Sequence, residues 1–275
     1  MRVWHRLTLT ARIGLLVLIL FVLVALSAPL VAPLDPNEQD LSARLEGPSA
    51  QNLLGRDEFG RDVLSRIIYG SRVSLAVGIL VISISLAVGV SVGIVVGYLG
   101  GWVDELAMRV VDIVLAFPGI LLAIALMAVL GQSLFNVVLA LCITGWAPFA
   151  RLARGEALSV RERQFVLAAK ALGASTLRIV TRHILPNIIS PILVKATLGM
   201  AGVIVAEAAL SFLGLGVRPP TPSWGAMLNA GRAFVLVTPH LVIFPGITIM
   251  AVVLSLNFFG DGLRDLLDPR SQTRF

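Results

Sequence analysis

Few residues in this chain have the types and spacing that chemistry requires. Residues 55–62, GRDEFGRD, carry two glycines at the separation found in phosphate-binding loops. Such a loop ends in Lys and Ser/Thr, which reach the phosphates and a magnesium ion. Arg61 and Asp62 stand there instead, and Asp57, Glu58 and Asp62 would repel a phosphate. A nucleotide site is excluded at this place, and no other stretch offers a phosphate loop. The chain is therefore expected to bind no ATP by that mechanism. His5, His183 and His240 lie far apart and lack metal-ligand spacing. Cys142 is the single cysteine, which rules out a disulfide framework. No catalytic constellation appears, so the chain is not expected to be an enzyme, and no catalytic, metal or cofactor-binding residue is assigned.

Two features remain. Glu207 stands inside an apolar run. A carboxylate at a bilayer centre costs about 2.5–3.5 kcal/mol, so such residues usually face a cavity or a partner. It is a candidate for the translocation path or a gate; a protonated, hydrogen-bonded packing residue is the alternative. The second feature is the basic, amphipathic segment from about residue 159 to 186. Phe165, Ala168 with Ala169, and Leu172 fall at i, i+3/i+4 and i+7, an apolar stripe on a first helix. Gly173 ends that helix, and Ser175 can cap a second one. Leu177, Val180 and Ile184 repeat the spacing, with Arg178 and Arg182 on a neighbouring face. Pro186 marks the approach to the next apolar run. Helix, glycine, helix makes a rigid knob that could dock on a partner protein or lie on anionic lipid.

The elements that hold these residues are membrane spans. Of the 275 residues, 57% are hydrophobic and 14% charged, which excludes an ordinary soluble domain. A crossing needs about 20 apolar residues. Residues 13–34 form the first uncharged run; at this length after a basic start, a retained span is expected rather than a signal peptide. Residues 73–103 form the second. Residues 113–150 are too long for one crossing and divide at Gly131-Gln132-Ser133 into two. A fifth span covers about 192–213 and a sixth lies within 233–260. With the N-terminus in the cytoplasm, inside segments hold 14 Lys and Arg and outside segments seven, so both termini are expected inside.

Gly89, Gly93 and Gly97, preceded by Ser85, put small residues along one face of the second span. Close helix packing is the expected use of that stripe, with pore lining as the alternative. Asp112 has Arg109 three residues earlier as its expected partner. Residues 213–232 carry Pro219, Pro220 and Pro222, which forbid regular helix through them and stiffen an outside loop, with Trp224 as an interface anchor.

Three blocks then resemble one family across nearly the whole chain. Residues 168–187, AAKALGASTLRIVTRHILPN, are similar to the cytoplasmic EAA loop of permease subunits of bacterial ABC importers. Residues 53–78 (LLGRDEFGRDVLSRIIYGSRVSLAVG) and 206–228 (AEAALSFLGLGVRPPTPSWGAML) resemble the C-type permease of the dipeptide/oligopeptide/nickel branch. The loop's name-giving glutamate is replaced by Leu167, while Ala168, Ala169 and Gly173 keep their places. The resemblance implies an all-α, six-helix membrane protein with the type I importer permease core. Residues 1–72 would form the N-terminal tail, first helix and extracytoplasmic loop. Residues 73–265 would form a five-helix core with the coupling loop at about 155–190, and 266–275 a cytoplasmic tail. Phe165, Ala168, Ala169, Leu172, Gly173, Ala174 and Ser175 would meet an ATPase groove. The implied partners are a homologous permease, two ATPase subunits, an extracytoplasmic binding protein and membrane lipid, with no nucleic acid. The chain would hold no cofactor; ATP and Mg would sit on the partner ATPases, whose closure would swing the spans from inward-open to outward-open. The cargo would be di- or oligopeptide, with nickel or another small solute as alternative. A membrane-embedded enzyme or an anchor protein is the reading from another class. The location would be the bacterial inner membrane.

Overall fold

The computed structural model describes residues 7–267, and the tail basic residues Arg2, Arg6, Arg270 and Arg274 lie outside them. Within that range the chain is built from helices, half of them started by a capping side chain of the expected kind. Thr8 caps α1 (Leu9–Val31), and Asp62 caps α2 (Val63–Leu99) by accepting from the Ser65 N–H at 2.7 Å. Helices α3 (Gly101–Ala116) and α4 (Gly119–Leu130) follow, and Ser133 caps α5 (Leu134–Arg161). Then come α6 (Gln164–Ala171), α7 (Thr176–Ile179) and α8 (Leu185–Phe212), joined to α7 by a π-helical turn at Val180–Ile184. Ser223 caps α9 (Trp224–Gly231), and α10 (His240–Leu267) closes the described chain.

Five helical stretches are long and apolar enough to cross a membrane: α1, α2, α5, α10 and the run Thr176–Phe212. The sixth crossing departs from expectation. Residues 113–116 do not open a straight span; they end α3, and α4 leaves it at 86°. Pro118 is the cause. It disfavours helical backbone in the residue before it, and Phe117 is extended (φ −93°, ψ 138°). Twelve-residue α4 is only about 18 Å long, short of the ~30 Å hydrocarbon core, so the crossing is broken. The turn at Gly131 is where the sequence put it, with φ +79°.

α2 starts ten residues before the expected Val73 and α5 runs eleven past Ala150. The two pack along the glycine stripe. A Cβ on Gly89 would lie 2.4 Å from the Trp146 carbonyl oxygen, and on Gly93 2.3 Å from that of Ala150. On Gly97 it would lie 3.0 Å from that of Arg154. The stripe is therefore a backbone-to-backbone helix contact. α1 packs on α10 and α2, and α8 on α2, α5, α9 and α10.

The segments assigned outside gather at one end. Gln132 donates to the Gly214 carbonyl at 2.5 Å, and a Cβ on Gly55 would touch His240. At the opposite end Arg161 donates to the Gly97 carbonyl at 2.8 Å, and Arg154 binds Asp104 through two contacts at 2.5 Å. One expected partnership changes here. Asp112 pairs with Arg151 of α5, leaving Arg109 to Glu105 one turn away. Trp224 is no interface anchor: it is fully buried at the start of α9, donates to the Ile67 carbonyl at 3.0 Å and lies 5.8 Å from the Phe21 ring. The prolines hold residues 219–222 out of helix, but the loop beyond them is helical because Ser223 supplies a cap.

Candidate functional site

The GRDEFGRD stretch is a closed ionic turn. Asp57 accepts from the Phe59 and Arg61 N–H groups and from Arg61 Nε at 2.7 Å. Arg61 also meets Glu58 at 3.1 Å, Asn52 donates to Asp62 at 3.0 Å, and buried Arg66 donates to the Pro36 carbonyl at 2.9 Å. Gly60 has φ +73°, and its missing Cβ is what admits the Asp40 carbonyl. The glycine spacing therefore serves the turn, and these charged groups satisfy one another.

The basic segment has the helix–glycine–helix form read from its sequence. Ala174 N–H donates to the Ala169 carbonyl and Gly173 N–H to that of Lys170, both at 3.0 Å, with Gly173 at φ +80°. This is a Schellman stop, in which the left-handed position favours glycine. Ser175 then caps α7 by accepting from Arg178 N–H. The second helix is not a separate piece. It passes through the π-helical turn into α8 as one run, Thr176–Phe212. Pro186 at the N-terminus of α8 has no N–H to offer the preceding turn, and the wider turn lies just before it.

The stripe faces away from the chain's own core. Phe165, Ala168, Leu172 and Leu177 are exposed, Leu172 at 88% and Leu177 at 73%, and Leu167 is exposed beside them. The stripe on the second helix divides: Leu177 faces out, whereas Ile184 is buried with Val166, Ile179, Ile188, Val90, Ile94 and Val160 and anchors the knob, with half-buried Val180 and Ala174 packed against them. An exposed apolar ridge on a well-anchored base is a shape suited to docking.

Glu207 is fully buried near the far end of α8. Its Oε1 accepts from Ser211 Oγ at 2.8 Å, and Ser74 Oγ of α2 approaches Oε2 at 3.5 Å. Its neighbours in sequence, Val205, Ala206 and Ala209, line a cavity of about 510 Å³ between α2, α4, α5 and α8, but Glu207 itself does not. It sits in a serine clasp behind that wall.

Comparison with known proteins identifies the architecture. Residues 89–273 match the family model described as binding-protein-dependent transport system inner membrane component. Residues 2–48 match the N-terminal TM domain of oligopeptide transport permease C. The chain belongs to this family of inner-membrane transport permeases. It is 48% identical over 263 residues to the dipeptide transport system permease protein DppC of Alkalihalophilus pseudofirmus, covering 96% of this chain and 86% of that one. It is 47% identical over 256 residues to the glutathione transport system permease protein GsiD of Escherichia coli, covering 93% and 84%. A solved structure of inward-facing MetNI methionine ABC transporter has a TM-score of 0.61 at 16% identity, covering 74% of this chain and 96% of that one; it supports the fold.

One residue of this permease escaped the reading by sequence. Fourteen inside and seven outside cations leave one of the 22 unplaced, and it is Lys195, which falls within the fifth span. The signal that marked Glu207, a charge within an apolar run, marks it equally. In the structure Lys195 is exposed and lines the cavity.

Proposed function

We propose that this permease forms, with a homologous permease, the path of an ABC importer for di- or oligopeptides delivered by an extracytoplasmic binding protein. ATP and Mg would be held by two separate ATPase subunits, one of them docked on the ridge of Phe165, Ala168, Leu172 and Leu177. Ala169, Gly173, Ala174 and Ser175 would set the ridge's shape, and both termini would lie in the cytoplasm. The observation that carries this reading is the unbroken helical run from Thr176 to Phe212. It ties the exposed knob to the cavity wall, so displacement of the knob must move the wall. A rigid lever with different contacts in two states is what coupling requires. The peptide cargo is supported by the likeness to dipeptide and glutathione permeases along most of the chain.

Orientation is testable with single cysteines placed in a Cys142→Ala background. Ser49, Thr221 and Ser175 are all exposed. In intact cells an impermeant thiol reagent is expected to label cysteine at 49 and 221, and at 175 only after lysis. Labelling at 175 in intact cells overturns the topology.

Glu207 acts in this reading as a clasp between α8 and α2. Glu207→Ala is expected to lower stability by about 2–3 kcal/mol through lost charge-assisted hydrogen bonds, read as a lower melting temperature in detergent. Glu207→Gln keeps shape and most of the bonding and is expected to assemble and transport normally. Altered uptake by a normally assembled Gln variant would move Glu207 to the path or a gate.

A further inference from the structure

Lys195, Gly199, Gly202, Ala206 and Ala209 all line the cavity and recur at i, i+4, i+7, i+11 and i+14, so they share one face of α8. The small residues open the space, and Lys195 is the single charged side chain among its lining residues. The other polar side chains there are Ser85 and Thr144. Lys195 lies ten residues into α8, about 15 Å along its axis, and no ion pair is formed by it among the described residues. Its place in the cavity lining turns the unpaired ammonium of Lys195 toward that space. Ser85 adds an independent mark. It is 1% exposed, and its Oγ has no nitrogen or oxygen partner, only the weakly bonding thiol of Cys142 beside it. A buried hydroxyl without a strong partner is uncommon and calls for an explanation such as a ligand or bound water. Thr144, by contrast, spends its hydroxyl on the Leu141 carbonyl at 3.1 Å.

We propose that the cavity between α2, α4, α5 and α8 is a solute-binding station on the path, with Lys195 holding a carboxylate of the passing solute and Ser85 giving it a second hydrogen bond. Its volume of about 510 Å³ falls in the small-molecule range, about 300–1,000 Å³. The remaining walls, among them Val81, Leu141, Phe149 and Val203, suit an apolar body. On the importer reading above, on which this rests, the carboxylate is the C-terminus of a peptide. An anionic lipid headgroup offers the same chemistry and is separated by the test.

The complete assembly, with partner permease, ATPases and binding protein, is reconstituted in phosphatidylcholine vesicles with and without phosphatidylglycerol. Uptake of a dipeptide and of its C-terminal amide is compared. The binding protein is identical throughout, so its own preference cancels when wild type and variant are compared. Lys195→Gln is expected to lower the acid-to-amide uptake ratio roughly tenfold, the loss of one charge-assisted hydrogen bond. Lys195→Arg should restore it, and Ser85→Ala should lower it less. Equal loss for both solutes overturns the proposal; if that loss needs phosphatidylglycerol, Lys195 belongs to lipid. A second measurement stands apart from transport: modification of Lys195 by an amine-reactive reagent in the purified assembly. N-acetyl-dialanine is expected to slow it and its amide to leave it unchanged. No difference overturns the carboxylate site. A wild-type assembly that imports neither solute, with protection intact, overturns the peptide-importer reading and leaves the site standing.

Discussion

Leu172→Glu is expected to leave this permease folded and inserted while abolishing ATP-driven uptake. Leu172 is 88% exposed, and the knob is anchored instead by Val166, Ile179 and Ile184. A surface change of this kind usually alters a protein's own stability by less than about 0.5 kcal/mol. Against an ATPase groove the balance reverses. The contact of a buried leucine, about 1.5–3 kcal/mol, is lost, and a carboxylate is forced into the interface without a partner. Affinity should fall by roughly a hundredfold or more at 1.4 kcal/mol per tenfold. The measurement is co-purification of the ATPase from detergent, then substrate-stimulated hydrolysis in vesicles. Gly173→Val probes the same coupling differently. Its Cβ would meet nothing within 4 Å, so only the left-handed backbone opposes it, at about 1–2 kcal/mol. It should bend the knob and reduce coupling without loss of insertion. Wild-type association and uptake in both variants would make the ridge a lipid-surface helix.

The largest effect on the fold itself is expected from Gly93→Leu. At this position the Cβ alone would sit 2.3 Å from the Ala150 carbonyl oxygen and 2.8 Å from the Ala153 Cβ. Backbone atoms cannot swing aside as a long side chain can, so α2 and α5 must separate. The cost should reach about 3 kcal/mol or more, the upper end of overpacking, and the buried cluster of Val90, Ile94, Phe149 and Ala157 would open with it. A lower melting temperature, poor assembly and lost uptake are the expected readouts. Gly155 of α5 is the control, because nothing lies within 4 Å of its Cβ. Gly155→Ala should raise stability by up to about 1 kcal/mol through helix propensity. Equal behaviour of the two variants would deny the glycine stripe its packing role.

The sequence by itself determined what depends on neighbours along the chain. Apolar run lengths located the crossings, Gly131 the hairpin, and Gly173 with Ser175 the stop and restart of the knob, since each follows from local backbone preference or from the thickness of a bilayer. Pro118 carried the signal for the broken third crossing, and Asp62 for the early start of α2, though hydropathy concealed both. Tertiary structure decided which way side chains face. It gave Asp112 to Arg151 rather than Arg109, sank Trp224 between α2 and α1, turned Glu207 into a serine clasp and left Lys195 on the cavity. The physical reason is that a helix in an apolar run is apolar on every side. Its sequence has little amphipathic period to mark a buried face. Facing is then set by where small residues let another backbone approach, and that fit exists only once both helices are present.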